Sequence, residues 1–574
     1  MLRMERSRWE INTEQIEKEY LRWSQRAVED PDIIEELQRM GSSVSLKEDG
    51  FYRNLEFGTG GLRGVMGAGI NRMNIYTVAK ASQGLADYVK AQGMQKKGIA
   101  VSYDSRIKSE VFARTAAQVF AGNGIPVYLY DELMPTPCLS FAVRKLGCVA
   151  GVMITASHNP AAYNGYKVYG PDGCQITTEA AEAITDRICL VDIFDGVSKM
   201  AFEESVEAGW IRWIGPELLT EFVDHVKAQS VLKAGDTADK EVSIVYTPLN
   251  GTGLKPVLRV LRESGFTNIS VVKEQEKPDG HFPTCPYPNP EIREAMELGM
   301  EYATKGKADL LLATDPDCDR VGIAVRDSQG EYALLSGNET GLLLLDYICS
   351  RRIANGTMPK APVMMKTIVT MDMAERIAAH YGVSTVNVLT GFKFIGEQIG
   401  LLEKQGEEQR YIFGFEESYG YLSGTYVRDK DGVNAAFLVC EMLAYYKAQG
   451  ITLWEKLQEL YRTYGFCLNT LHCCTFEGAA GFQKMQEIMG RLRHGMTQIG
   501  GKEVLASWDY SQGLDGLPPS DVLKFQLGGD SSAVIRPSGT EPKIKTYLSV
   551  SAESREMAER AEREIWEDLK NKID

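Results

Sequence analysis

Three aspartates, Asp315, Asp317 and Asp319, alternate along Thr314-Asp-Pro-Asp-Cys-Asp-Arg320. In an extended or turning segment this spacing sets three carboxylates on one side. Such charges repel one another unless a cation or solvent offsets them. All-oxygen donors favour Mg²⁺, which keeps room for water or a phosphate oxygen. An exposed acidic turn is the alternative, and the apolar strands on both sides argue against full exposure. An EF-hand is excluded, because Arg320 stands where that loop needs Gly and Arg326 where it needs Glu.

A second run, Thr155-Ala-Ser-His-Asn-Pro160, places the Ser157 hydroxyl beside His158. On extended backbone such neighbours point to opposite faces, so the pair is expected to be a poor general-base dyad. No G-x-S-x-G elbow surrounds the serine. A polar Ser/Asn/Pro turn is one reading. A serine that carries a phosphoryl group is the other, since that chemistry needs alignment and charge neutralisation rather than a triad. His158 is equally readable as a structural hydrogen-bonding residue.

Arg536-Pro-Ser-Gly-Thr-Glu-Pro542 has the composition of an anion cradle. Gly539 permits close backbone approach, while Arg536, Ser538 and Thr540 offer donors to phosphate; a tight hairpin turn is the alternative. Phe57-Gly-Thr-Gly-Gly-Leu-Arg63-Gly64 is glycine-rich but fails as G-x-G-x-x-G, with Arg63 at the third glycine position and no clear apolar strand before it. A nucleotide fold is not supported. Lys167, Lys393, Arg428 and Lys430 lie near other turns, and singly each reads as a solvated surface charge.

The elements that position these runs repeat three times. Ile99–Tyr103 leads to a helix with Phe112, Ala116, Val119 and Phe120 on one face, then to strand 126–130. Val242–Tyr246 precedes Leu254, Val257, Leu258 and Leu261, then strand 269–272. Val363–Met365 precedes Met373, Ile377 and Tyr381, then strand 386–389. Alternating strands and helices predict parallel βαβ layers. Each unit then reaches a third apolar strand (149–154, 308–313, 411–413) that ends in an unusual polar loop: 155–160, 314–320 or Gly414-Phe-Glu-Glu-Ser418. Ligands in open α/β sheets bind outside the carboxyl ends of strands, so the three loops are expected to converge on one cleft. From about Trp454 the pattern changes to a smaller α+β module.

Composition bounds the function. The chain has 574 residues, which at roughly 150 per domain predicts about four domains. Hydrophobic residues are 44% and charged residues 25%, a globular rather than disordered balance. Acids outnumber bases 78 to 63, a net charge of −15 that disfavours nucleic acid and anionic membrane as partners. Any anionic ligand must therefore meet local Arg and Lys. No apolar run approaches the roughly 20 residues of a spanning helix, and the first residues lack a signal-peptide core. Eleven scattered cysteines without repeated C-x-x-C pairs predict a reduced, cytoplasmic protein.

Together the four motifs, in this order, resemble the α-D-phosphohexomutase superfamily over most of the chain. The resemblance implies a four-domain, heart-shaped enzyme: three related α/β domains with mixed sheets and a C-terminal α+β domain around a central cleft. The expected limits are 1–215, 216–335, 336–455 and 456–574. It implies that Ser157 is phosphorylated and that Asp315, Asp317 and Asp319 bind one Mg²⁺, with a phosphoserine oxygen as a further ligand. Glu416 and Ser418 would bind sugar hydroxyls, and Arg536, Ser538, Gly539 and Thr540 the phosphate that is not reacting. Arg63 and Lys167 match positions near the transferred phosphate. Lys430, in Arg-Asp-Lys-Asp-Gly, matches a lysine proposed as general acid/base. Arg320, Lys393 and Arg428 complete the candidate substrate contacts, and His158 the candidate catalytic group.

The Gly-Phe-Glu-Glu-Ser-Tyr-Gly loop is similar to that of the phosphoglucomutase branch. It implies conversion of glucose 1-phosphate to glucose 6-phosphate through a glucose 1,6-bisphosphate intermediate. Pentose phosphates are the second substrate class. A sugar-bisphosphate synthase and a silent sugar-phosphate binding protein are two further readings.

Overall fold

The computed structural model describes residues 13–573 apart from 59, 234, 477, 515 and 539–542. The chain forms two compact units. The first comprises Met1–Ala228, Ser243–Val321 and Tyr426–Phe437; the second comprises Gln229–Val242, Gly322–Thr425 and Leu438–Asp574.

In the first unit, strand Ile99–Tyr103 lies parallel to both Val127–Tyr130 and Ala150–Ile154. Ile99–Tyr103 and Ala150–Ile154 are buried along their whole length, which is why they read as unbroken apolar runs. The helix Ser109–Gly122 buries Phe112, Ala116, Val119 and Phe120, the face its 3.6-residue period predicts. Strand Ile244–Thr247 is likewise parallel to Ile269–Val271 and Leu310–Thr314. In the second unit Val363–Thr367 sits between Ser384–Val388 and Tyr411–Glu416, parallel to both. Each module therefore places its first strand between its second and third. The repeat read from the sequence is a repeat of topology.

Two local readings change. The glycine-rich run is not a bare loop, because Gly61–Val65 forms an edge strand antiparallel to Tyr163–Tyr169. Gly61 has φ +151°, and a Cβ there would lie 1.9 Å from the Tyr166 carbonyl oxygen. Close strand pairing, not phosphate binding, accounts for that glycine. The second change concerns Gly414–Glu416, which belong to a strand that turns back antiparallel through Gly420–Leu422. The turn itself is 417–419, with Tyr419 left-handed at φ +65°.

The C-terminal module is a six-stranded sheet with helices Gly478–Arg493 and Arg555–Ile573. Leu523, Phe525, Ile535, Ile544 and Leu548 pack with Ile565 and Leu569 in its core. Asp372 of the third module joins this one, accepting from Lys524 Nζ at 3.1 Å and from Ser532 Oγ at 2.5 Å. Burial pushes the Asp372 carboxyl up, but Lys366 and Lys524 outweigh it and hold the group well below the usual carboxylate range. Among the described residues no helix is long and apolar enough to cross a membrane.

Three helices, Thr13–Arg26, Pro31–Met40 and Val44–Phe51, precede the repeat and close the first core. Trp23 is fully buried, with ring centroids 5.8, 5.4 and 5.6 Å from Phe51, Tyr76 and Phe194. Trp23→Ala is expected to destabilise this unit by about 3–5 kcal/mol, read from urea unfolding by circular dichroism. A loss below about 1 kcal/mol would show that these helices are not part of that core.

Candidate active site

The site in the first unit begins where strand Ala150–Ile154 ends. Thr155 Oγ1 accepts the Ser157 N–H at 2.8 Å, and Ser157 adopts a left-handed backbone, φ +52°. That conformation turns the hydroxyl toward Asp315, whose Oδ2 accepts it at 2.9 Å. It also brings Ser157 Oγ to 3.3 Å from His158 Nδ1. The expectation that the two side chains diverge fails because it assumed extended backbone. Burial, followed by the charges of Arg320 and Arg63, lowers the His158 pKa to about 2. The imidazole is thus neutral at physiological pH and too weak a base to activate Ser157.

Strand Leu310–Thr314 delivers the three aspartates. A tight turn follows it: Cys318 N–H donates to Asp315 O at 2.9 Å, and Cys318 is left-handed at φ +52°. The Asp319 and Arg320 N–H groups both donate to Asp315 Oδ1 at 3.0 Å. Oxygens of Asp315, Asp317 and Asp319 converge within 4.8 Å of one another, all buried. Thr136, the first residue of helix Thr136–Lys145, fixes the turn from a distant part of the chain. Its backbone N–H donates to Asp317 O at 2.9 Å and its hydroxyl to Asp317 Oδ2 at 3.0 Å.

Two lysines flank the carboxylates. Lys167 Nζ lies 2.8 Å from Asp317 Oδ2 and 3.6 Å from Asp319 Oδ2. Lys430 Nζ lies 3.2 Å from Asp319 Oδ2 and 2.9 Å from Asp429 Oδ1. Asp429 is held in turn by the Tyr169 hydroxyl at 2.8 Å. Burial pushes the Asp317 carboxyl up, yet Lys167 outweighs it and keeps the group ionised. Burial lowers Lys167, and Asp317 and Asp319 more than reverse it. For Asp315, burial and the two neighbouring carboxylates act together and raise it well above the usual range. Among the described residues Asp317 Oδ1 and Asp319 Oδ1 are buried without a hydrogen-bond donor. Hard oxygen donors, excess negative charge and two orphaned acceptors fit a divalent cation such as Mg²⁺.

The first unit thus brings together Ser157, His158, Asp315, Asp317, Asp319, Lys167 and Lys430. Arg63 donates to Asn159 Oδ1 at 3.3 Å, and Arg320 pairs with Glu291. The reading of isolated cations as solvated surface charges is corrected. Lys167 and Lys430 are partly buried, each side chain 12% exposed, and face carboxylates, and the Arg428 side chain is fully buried, donating to Val427 O at 3.0 Å. Spacing along the chain offered no signal for this, since Lys167 and Asp317 are 150 residues apart; only the family resemblance had put Lys167 and Lys430 near the site. Thr136, Glu291, Asp429 and Tyr169 were missed for the same reason.

The second unit carries the other candidates. Glu416 ends strand Tyr411–Glu416 and is buried, and Ser418 lies in the turn after it. Lys393 stands at the start of helix Phe392–Lys404, its Nζ 5.2 Å from the Phe394 ring centroid. Arg536 is near the end of strand Ser531–Pro537, its Nε buried without a hydrogen-bond partner among the described residues. Ser538 N–H donates to Lys543 O at 2.7 Å. Gly539 and Thr540 lie outside the described residues.

Four family descriptions match in chain order. Those of phosphoglucomutase/phosphomannomutase alpha/beta/alpha domains I, II and III match residues 54–190, 220–330 and 336–464. That of the C-terminal domain matches 498–565. The chain belongs to the phosphoglucomutase/phosphomannomutase family. Its similarity to the phosphoglucomutase of Staphylococcus aureus (strain USA300) is 37% identity over 540 residues, covering 92% of this chain and 95% of that one. The Staphylococcus saprophyticus phosphoglucomutase is also 37% identical, over 88% of this chain and 92% of its own.

Solved structures agree on the fold. The open form of parafusin, a phosphoglucomutase from Paramecium, aligns with TM-score 0.69 at 18% identity, covering 91% of this chain and 94% of its own. A phosphoglucomutase/phosphomannomutase family protein from Burkholderia thailandensis aligns with TM-score 0.67 at 17% identity, over 90% and 97%. As a member of this family the chain is an isomerase, a phosphohexomutase, with four domains: three α/β and one C-terminal.

Proposed function

We propose that this protein is a phosphoglucomutase interconverting α-D-glucose 1-phosphate and glucose 6-phosphate through a phosphorylated Ser157 and glucose 1,6-bisphosphate. One observation carries the reading: a buried serine hydroxyl 2.9 Å from the first of three converging aspartates, with two lysines at their rim. Asp315, Asp317 and Asp319 would hold Mg²⁺ together with an oxygen of the phosphorylated Ser157. The ion would neutralise charge on the transferring phosphoryl group.

The residues of this chain supply the remaining work. Ser157 gives its phosphoryl group to the free hydroxyl of a sugar monophosphate: the P–O bond to the serine breaks as one to the sugar forms. Lys430 handles the proton of the sugar oxygen, Lys167 and Arg63 bind the phosphoryl oxygens, and neutral His158 offers a hydrogen bond beside the serine. Glu416 and Ser418 would read sugar hydroxyls. The bisphosphate reorients, and its other phosphate returns to Ser157. Lys393, Arg320 and Arg428 remain candidate substrate contacts. None of the eleven cysteines is in a disulfide, which supports a reducing, cytoplasmic setting.

The test is the initial rate of glucose 6-phosphate formation from glucose 1-phosphate, with Mg²⁺ and catalytic glucose 1,6-bisphosphate. Ribose 1-phosphate runs alongside. A faster glucose reaction that EDTA stops supports the proposal. A faster ribose reaction moves the function to pentose phosphates, and no reaction with either sugar overturns mutase activity.

Arg536 tests the non-reacting phosphate. Arg536→Ala removes charge-assisted hydrogen bonds and is expected to raise the KM for glucose 1-phosphate about 10- to 100-fold, with a smaller change in kcat. An unchanged KM would remove Arg536 from that role.

A further inference from the structure

The segment after strand Ile99–Tyr103 carries Asp104-Ser-Arg106-Ile-Lys-Ser109, which none of the assigned roles uses. Arg106 is buried and points under the serine loop. One terminal nitrogen, Nη1, donates to the carbonyls of Pro160 at 2.9 Å and Tyr163 at 3.0 Å. The other, Nη2, donates to the carbonyls of Ser157 and Asn159. Nε lies 3.4 Å from Asp104 Oδ2, both side chains fully excluded from solvent. A single guanidinium thus spends its four terminal N–H donors on four backbone carbonyls of one loop.

Asp104 completes the frame. Its Oδ1 accepts from Ser109 Oγ at 2.8 Å and from the Arg106 N–H at 2.9 Å. The Thr155 hydroxyl, beside this frame, accepts the Ser157 N–H at 2.8 Å. Both peptide groups of Ser157 are therefore clamped, the N–H by Thr155 and the carbonyl by Arg106. A left-handed non-glycine residue costs roughly 1–2 kcal/mol and persists only where its surroundings over-determine it.

We propose that Arg106, anchored by Asp104 and Ser109, is a positioning residue that holds Ser157 left-handed and so aims its hydroxyl, or phosphoryl group, at the aspartate turn. Among the described residues the guanidinium meets the loop at backbone carbonyls, and otherwise Asp104 and the Phe282 ring, 5.1 Å to its centroid, so it acts through Ser157. The inference rests on the reading of Ser157 as the phosphoryl carrier. Lysine cannot replace it, because an ammonium is a point charge with three donors and no fork.

The experiment uses the full chain, phosphorylated with glucose 1,6-bisphosphate. Rapid quenching and mass spectrometry follow the loss of phosphoserine to glucose 6-phosphate in a single turnover. Arg106→Lys is expected to slow this transfer about 100-fold, as small displacements of reacting groups do, while KM stays within about threefold. A folded Arg106→Lys protein with wild-type transfer, or with only its KM changed, overturns the proposal. If near-UV circular dichroism shows Arg106→Lys unfolded, Ser109→Ala decides. It removes one neutral hydrogen bond to Asp104 and should slow transfer about fivefold; no slowing overturns the proposal. Ser157→Ala, run in parallel, separates the two readings. Turnover in Ser157→Ala sinks the phosphoserine assignment itself, whereas a dead Ser157→Ala beside a fully active Arg106→Lys sinks only the positioning role.

Discussion

Ser157→Ala should lose mutase turnover by at least about 10⁴-fold while remaining folded. The change deletes one buried hydroxyl, 2.9 Å from Asp315 and 3.3 Å from His158. Alanine tolerates the left-handed backbone about as poorly as serine does, so the loop loses a hydrogen bond rather than its conformation. Removing a covalent nucleophile is not recovered by neighbours, because residues that act as a unit fail together. His158 is no substitute, since its surroundings hold it neutral and weakly basic. Two measurements check this: glucose 6-phosphate formation, and mass spectrometry of the protein after glucose 1,6-bisphosphate. No phosphoryl adduct should form at this position, and near wild-type turnover would refute the assignment.

Much of this site was legible in the sequence, and for a physical reason. Strands buried on both faces, such as Ile99–Tyr103 and Leu310–Thr314, must be apolar throughout. A polar run at the end of such a strand then marks a loop at the sheet's carboxyl edge. That logic finds Thr155–Pro160 and Asp315–Arg320 directly. What it cannot find are partners distant in the chain. Lys167 reads as a surface charge until Asp317, 150 residues on, is folded against it. Arg106 is harder still. Its partners are backbone carbonyls, which every residue owns, so no residue type in the loop betrays them. The Ser157–His158 geometry was hidden in a dihedral angle: one left-handed residue reverses the expectation for neighbouring side chains. The three N-terminal helices carry no chemical motif, and their role appears only where Trp23 meets Phe51, Tyr76 and Phe194.

Asp317→Asn should weaken Mg²⁺ binding by about 100-fold or more and lower kcat with it, without unfolding the turn. The substitution keeps the shape of the side chain. The Thr136 N–H still reaches the backbone carbonyl of residue 317, and the Thr136 hydroxyl still finds an amide oxygen. What changes is charge. Asp317 is held ionised by Lys167 at 2.8 Å, and among the described residues its Oδ1 is an acceptor left without a donor. With its one oxygen kept on Thr136, the amide puts an NH2 where Oδ1 stood, which offers a hard cation no lone pair, and Asp319 at 3.6 Å becomes the carboxylate nearest Lys167 at the turn. Both effects make the cluster more positive, so both oppose a divalent ion. The readout separates metal from chemistry: calorimetric titration with Mg²⁺, or Mn²⁺ spin resonance, reports binding without turnover. Excess Mg²⁺ should restore part of the lost rate in Asp317→Asn and none in Ser157→Ala, because only the first retains the group that carries phosphate. An unchanged titration in Asp317→Asn would remove these aspartates from the metal site, and the orphaned oxygens would then need another partner.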